Sequence, residues 1–202
     1  WILLGGGTGT EFEDVITRLL NYGTQLSRAG READALEWAR TASAVYGQHP
    51  KWNDFIDGTV NNLLVKLVRR GRLEDARSSY DRYRPRLSRT AAAELDYMIS
   101  DSELIAALDA VKAGGADEDF TAALNHAEQS GVLPAERLYE IELNWRLYRI
   151  SITAKTEGWL AAYTAVEDAV TELGEEPQLL KAGRVYLSNH KAEIYNTAAD
   201  AF

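Results

Sequence analysis

No cysteine occurs among the 202 residues. Disulfides, thiolate nucleophiles and cysteine-based zinc sites are excluded together. The compartment stays open between cytoplasm and periplasm or envelope, because a cysteine-free chain tolerates either. Only four prolines are present, which argues against a Pro-rich, disordered chain. The three histidines, His49, His126 and His190, share no metal-ligand spacing, so surface and packing roles are their default. No run approaches the roughly 18 consecutive apolar residues of a membrane-spanning helix. Positive charge is in deficit, with 22 Lys and Arg against 31 Asp and Glu and a formal net charge of −9. That argues against nucleic acid as a partner, since such binding rests on neutralising phosphates. Apart from the short apolar opening Ile2-Leu3-Leu4, no strand-like run appears.

What is present is helical periodicity. Val15, Ile16, Leu19, Leu20, Tyr22 and Leu26 fall close to one stripe and predict a helix over 14–26, stopped at Gly30. Further helices are predicted over 31–46, ended by Gly47 and Pro50, and over 55–70, 73–83, 117–130, 135–156 and 159–173. Another runs from a Ser88 cap to Gly114-Gly115. The last spans 178–202, with a break near Ser188-Asn189-His190. The turns at Gly30, Gly71, Gly114 and Gly158 are spaced 41, 43 and 44 residues apart. Two of them share a string, G-R-E-A-D-A at 30–35 and G-R-L-E-D-A at 71–76. A period of this size, one helix hairpin per unit, predicts an all-α solenoid of four to four and a half repeats and eight or nine helices. Trp38, Trp52, Trp145 and Trp159 fall at helical spacing and are expected to pack in cores.

The repeat resembles the tetratricopeptide repeat family in divergent form, with longer repeats than that family's roughly 34 residues. The first unit carries Leu19, Tyr22-Gly23, Leu26, Gly30 and Ala35, with Ala39 and Ala42 beyond. The second carries Val60, Leu63-Leu64, Leu67, Gly71 and Ala76, with Tyr80 and Tyr83 beyond. The fourth is looser, with Leu147, Ile150-Ser151, Ala154 and Gly158, then Tyr163 where alanine is usual. The third departs, with Asp119 at the alanine position. Residues 192–202 resemble the first helix of another repeat, with Tyr195, Ala199 and Phe202 at its key places. An unpaired half repeat implies truncation, a capping role or pairing with a second copy of the chain.

The resemblance implies residues 11–202 as one repeat domain after a Gly-rich leader, 1–10. It implies a non-catalytic scaffold that binds a protein or peptide in a concave groove, without cofactor or metal. Positions lining that groove in the family correspond to Leu20, Thr24, Asn61, Val65, Arg69, Tyr148 and Ile152. The family's carboxylate clamp does not carry over; only Asn61 and Asn62 are suggestive of it. Between residues 66 and 89 the acidic chain turns basic: Lys66, Arg69, Arg70, Arg72, Arg77, Arg82, Arg84, Arg86 and Arg89 face Glu74, Asp75 and Asp81, a local +6. This stretch reads either as a solvated face paired with neighbouring acids or as a docking patch for an acidic peptide, anionic lipid or small anion. Arg69, Arg70 and Arg72 are its leading docking residues.

Two alternatives remain. Trp1-Ile2-Leu3-Leu4 fits the tail of a membrane anchor or signal region, making the chain a tethered envelope or transport-associated component, and fits an internal segment equally. The string G-G-G-T-G-T at 5–10 resembles the phosphate loop of tubulin and tubulin-like bacterial GTPases, implying a nucleotide-binding enzyme. Against it stand Glu11 in place of that family's following glycine, the acids Glu11, Glu13 and Asp14, and the lack of β/α units. The competing reading is a flexible leader whose Thr10 caps the first helix. Asp117-Glu118-Asp119 reads as a set of helix-dipole complements before it reads as paired catalytic acids. Ser78-Ser79 has no histidine nearby in sequence for a triad.

Overall fold

The computed structural model describes residues 9–47 and 49–200. Nine α-helices and one short 3-10 turn occupy the described residues, with no strand among them. They are α1 (Gly9–Arg28), α2 (Glu32–Tyr46), α3 (Pro50–Arg69), α4 (Leu73–Tyr83), the 3-10 turn Arg84–Arg86, α5 (Arg89–Lys112), α6 (Asp117–Ser130), α7 (Ala135–Thr156), α8 (Trp159–Leu173) and α9 (Pro177–Asp200). The chain is all-α. It divides into two compact units, one through Glu103 and one from Leu104, with the division inside α5.

In the first unit α1, α2, α3 and α4 pack in succession, and α1 also touches α3. The shared string explains the repeated geometry. At the end of α1, Gly30 takes φ +77°; its N–H donates to the Ser27 carbonyl and that of Arg31 to the Leu26 carbonyl. At the end of α3, Gly71 takes φ +70°; its N–H donates to Val68 and that of Arg72 to Leu67. This paired closure needs a residue in the left-handed region, which glycine enters without steric cost. The next residues repeat as well. Arg31 Nε donates to Asp34 Oδ2 at 2.6 Å, and Arg72 Nε to Asp75 Oδ2 at 2.7 Å. Ala35 and Ala76 follow, both fully buried.

The core of this unit centres on Trp52, Tyr80, Ile16, Leu64, Ile99 and Val60. Gly23 permits a close crossing: a Cβ there would lie 2.7 Å from Phe55 Cζ and 3.2 Å from Trp38 Cδ1. Pro50 opens α3 at its first turn instead of merely ending α2, a position where the missing N–H costs nothing. His49 caps that helix. Its Nδ1 accepts from the Lys51 N–H at 3.3 Å, which assigns the Nε2–H as donor to Glu13 Oε1 at 2.8 Å. Lys51 Nζ donates to Glu13 Oε2 at 2.5 Å, so one carboxylate joins the starts of α1 and α3.

The second unit has two clusters. One gathers Leu104, Leu108, Phe120, Leu124 and Ile141; the other gathers Ile150, Ala162, Val166 and Leu179. Here α6 packs on α7, α7 on α8 and α8 on α9. α9 runs through Ser188-Asn189-His190 without the expected break. From Lys191 to Ala199 every residue is exposed, Ile194 and Tyr195 included. α1 begins at Gly9, so Thr10 is a helical residue and not the cap. Residues 1–8, which hold Trp1–Leu4 and most of the glycine string, lie outside the described residues, as does Phe202.

Two outcomes follow for stability. Gly23→Ala gains helix propensity of about 1 kcal/mol but drives a methyl into Phe55 and Trp38, where overpacking costs about 1–3 kcal/mol. Net destabilisation is expected as a lower urea midpoint, and an unchanged midpoint would refute the tight crossing. The Lys51 ammonium, then the His49 ring, hold the Glu13 carboxyl below its usual range. A depressed folded pKa stabilises above the unfolded carboxylate pKa and is lost as pH falls through the folded value. Glu13→Gln is therefore expected to flatten the decline of Tm between about pH 5 and pH 3. Parallel wild-type and variant curves would contradict this.

Candidate docking surface

The basic stretch 66–89 separates into two populations. Lys66 reaches back to Glu32, an almost fully buried carboxylate at the start of α2. Arg72 is held by Asp75. Arg77 bridges α4 to α5: Nη1 donates to Asp96 Oδ1 at 2.6 Å, and Nη2 to Glu103 Oε2 at 2.7 Å and Ser100 Oγ at 3.0 Å. The Glu103 carboxylate, helped by Asp96 and opposed by partial burial, raises the Arg77 pKa above the ordinary arginine value. These three cations are engaged in ion pairs.

Arg69, Arg70, Arg82, Arg84, Arg86 and Arg89 are exposed, and none forms an ion pair among the described residues. Arg82 lies over the Tyr83 ring at 5.4 Å and Arg84 over Tyr80 at 5.9 Å. An arginine stacked on an aromatic keeps its N–H fork available for an oxyanion.

Asn61, Val65 and Arg69 sit four residues apart on α3 and therefore share one face. Asn61 and Arg69 are exposed and Val65 is half-buried between them. Arg70 and Arg72 flank Gly71 at the end of the same helix. Leu20 and Thr24 lie half-buried on α1, the helix in contact with α3. Tyr148 and Ile152 belong to the second unit, both half-buried on α7. The Tyr148 hydroxyl donates to the Lys112 carbonyl at 3.3 Å, so its polar end is engaged.

Two grooves escaped the reading from sequence. In the second unit, a groove of about 750 Å³ runs between α6, α7 and α8. Asp117 anchors its wall, accepting from Trp145 Nε1 at 3.0 Å and pairing with Arg149. The acids expected first to suit a helix dipole thus include one that is cross-linked to α7. Arg146 pairs with Glu142 and Glu172. Burial works against its charge, but those carboxylates outweigh it and raise its pKa. In the first unit, a groove of about 390 Å³ lies between α2 and the end of α4, lined by Glu37, Arg40, Arg82, Tyr83 and Arg86. Its signal was the period: Arg40 lies ten residues after Gly30, and Arg82 eleven after Gly71. No group of three His, Asp or Glu among the described residues is placed to hold a metal ion, and no described helix is long and apolar enough to cross a membrane.

The two arginine populations are expected to behave differently on truncation. Arg77→Ala strips two part-buried carboxylates of their charged donor and should lower the unfolding free energy by about 1–3 kcal/mol. Arg70→Ala should change it by less than about 0.5 kcal/mol. Urea denaturation measures both, and equal effects would erase the distinction. No family model, no curated protein and no solved structure matches this chain.

Proposed function

We propose that this chain is a non-catalytic docking module, a stack of tetratricopeptide-like helix hairpins that holds a protein or peptide partner against α3 and the turn after it. The reading rests on the repeated turn geometry and is carried by one observation: Arg69 and Arg70 stand exposed and without ion pairs in a chain of net charge −9. Cations at a helix C-terminus also suit the helix dipole, but that role does not account for the further unpaired arginines Arg82, Arg84, Arg86 and Arg89. Asn61 offers an exposed amide that can donate to and accept from an extended backbone. Val65 adds an apolar contact between Asn61 and Arg69. A partner segment matched to this face is acidic, and the Arg forks give it orientation. In the second unit, Tyr148 and Ile152 form a separate candidate contact of their own, mainly apolar, through the tyrosine ring and the isoleucine side chain.

The test is charge reversal. Arg72 is left intact because it brackets α4. Arg69→Glu/Arg70→Glu should keep the wild-type Tm within a few degrees and reduce recovery of captured partners about tenfold, measured by quantitative mass spectrometry of affinity captures from the native host. Recovery equal to wild type would remove this face from the function.

A further inference from the structure

We propose that the groove between α2 and the end of α4 is an oxyanion site that takes the dianion of a phosphate monoester. Leu36 and Tyr83, both buried, form its floor, and Glu37, Arg40, Arg82 and Arg86 form its charged rim. These residues come from two helices and the 3-10 turn, drawn together by the repeat.

The charges sort themselves. Arg40 grips Glu37 on its own helix, with Nε at 3.0 and 2.9 Å from the two carboxylate oxygens. That pair is neutral as a unit. Arg82 and Arg86 stand four residues apart with no ion pair, and Arg82 is steadied over the Tyr83 ring. Three guanidiniums and one carboxylate leave a local charge of +2. A single carboxylate from a ligand would cancel half of it, whereas a phosphate monoester, doubly charged above a second pKa of about 6, cancels all of it. The geometry favours the same ligand. Each guanidinium presents parallel N–H donors, and the three terminal oxygens of a phosphate accept from two such forks at once. The Arg40 hydrogen bonds, helped by the charges of Arg40, Arg86 and Arg82, outweigh the opposing effect of burial and hold the Glu37 carboxyl below its usual range. Glu37 thus stays ionised and paired near neutral pH and is not a competing proton donor. At about 390 Å³ the groove also has room for more than the phosphate itself.

A phosphorylated protein side chain and a small phosphate ester share this chemistry, and two probes separate them. The first is a fluorescein-labelled Gly-Ala peptide bearing one phosphoserine, compared by anisotropy with its serine and aspartate versions. The second is phenyl phosphate, used as a competitor up to about 5 mM, near the limit of meaningful affinity. The full chain is expected to bind the phosphoserine peptide at least about tenfold more tightly than the aspartate peptide. Arg82→Ala/Arg86→Ala should lose that preference, and Arg82→Lys/Arg86→Lys should retain only part of it, since lysine keeps the charge without the fork. Arg18→Ala, on an exposed position of α1, should bind as wild type. Competition by phenyl phosphate at the peptide's own affinity identifies a small ester as the ligand; competition more than tenfold weaker identifies a phosphorylated side chain. Absence of binding by both probes, equal affinity for phosphoserine and aspartate, or unchanged binding by the folded alanine variant would each overturn the site. The two sites fail separately: Arg69 and Arg70 lie outside this groove, so loss of partner capture there leaves phosphate binding untouched, and the converse holds.

Discussion

Everything in the first unit depends on how α1 and α3 end. Each closes on a glycine in the left-handed region, with two backbone hydrogen bonds folded back over the last turn. That closure fixes the direction in which the chain leaves. The arginine after the glycine then bonds an aspartate three residues on, so the first turn of the next helix is braced by a local contact within its own sequence. A fully buried alanine follows at once. A larger side chain at either buried position would have to be accommodated by the closely packed helices around it. Core residues of roughly the right size can be exchanged at modest cost, but a β-branched residue at Gly71 would have to adopt a backbone conformation it rarely enters.

How much of this was legible follows from the same physics. Local rules wrote the turns, so the turns could be read: Gly30, Gly71, Gly114 and Gly158 all take positive φ, and α4, α6, α7 and α8 have the boundaries their periodicity predicts. The misplaced features are those where a local signal competes with packing. Pro50 reads as a stop, yet it serves as a start because His49 supplies the cap and Glu13 ties His49 and Lys51 to α1. Ser188-Asn189-His190 has weak helix propensity, but the 24-residue α9 carries it through. The polar grooves were hidden for another reason. Their walls come from different helices, and no spacing within one helix announces them.

The electrostatics follow a similar division. A stretch of local charge +6 in a chain of net −9 leaves the remaining residues at −15. Long-range attraction alone would draw the cations onto neighbouring acids, and for Lys66, Arg72 and Arg77 that is the outcome. Those three reach acids at helix starts or on the adjoining helix, where the fold brings opposite charges within reach. The others lie at the end of α3, on the last turn of α4, on the 3-10 turn and at the start of α5; Arg82 and Arg84 lie over Tyr83 and Tyr80, and the one acid beside Arg82 and Arg86, Glu37, is already gripped by Arg40. Aromatic faces can hold a guanidinium in place without neutralising it. Unpaired charge concentrated on rigid helix ends is a standing electrostatic cost, and mutual repulsion among Arg82, Arg84 and Arg86 adds to it. An anion bound there removes part of that cost as well as making its own hydrogen bonds. Affinity at such a site depends on what the fold leaves unsatisfied, and in the groove beside α2 that is the pair of guanidinium forks of Arg82 and Arg86.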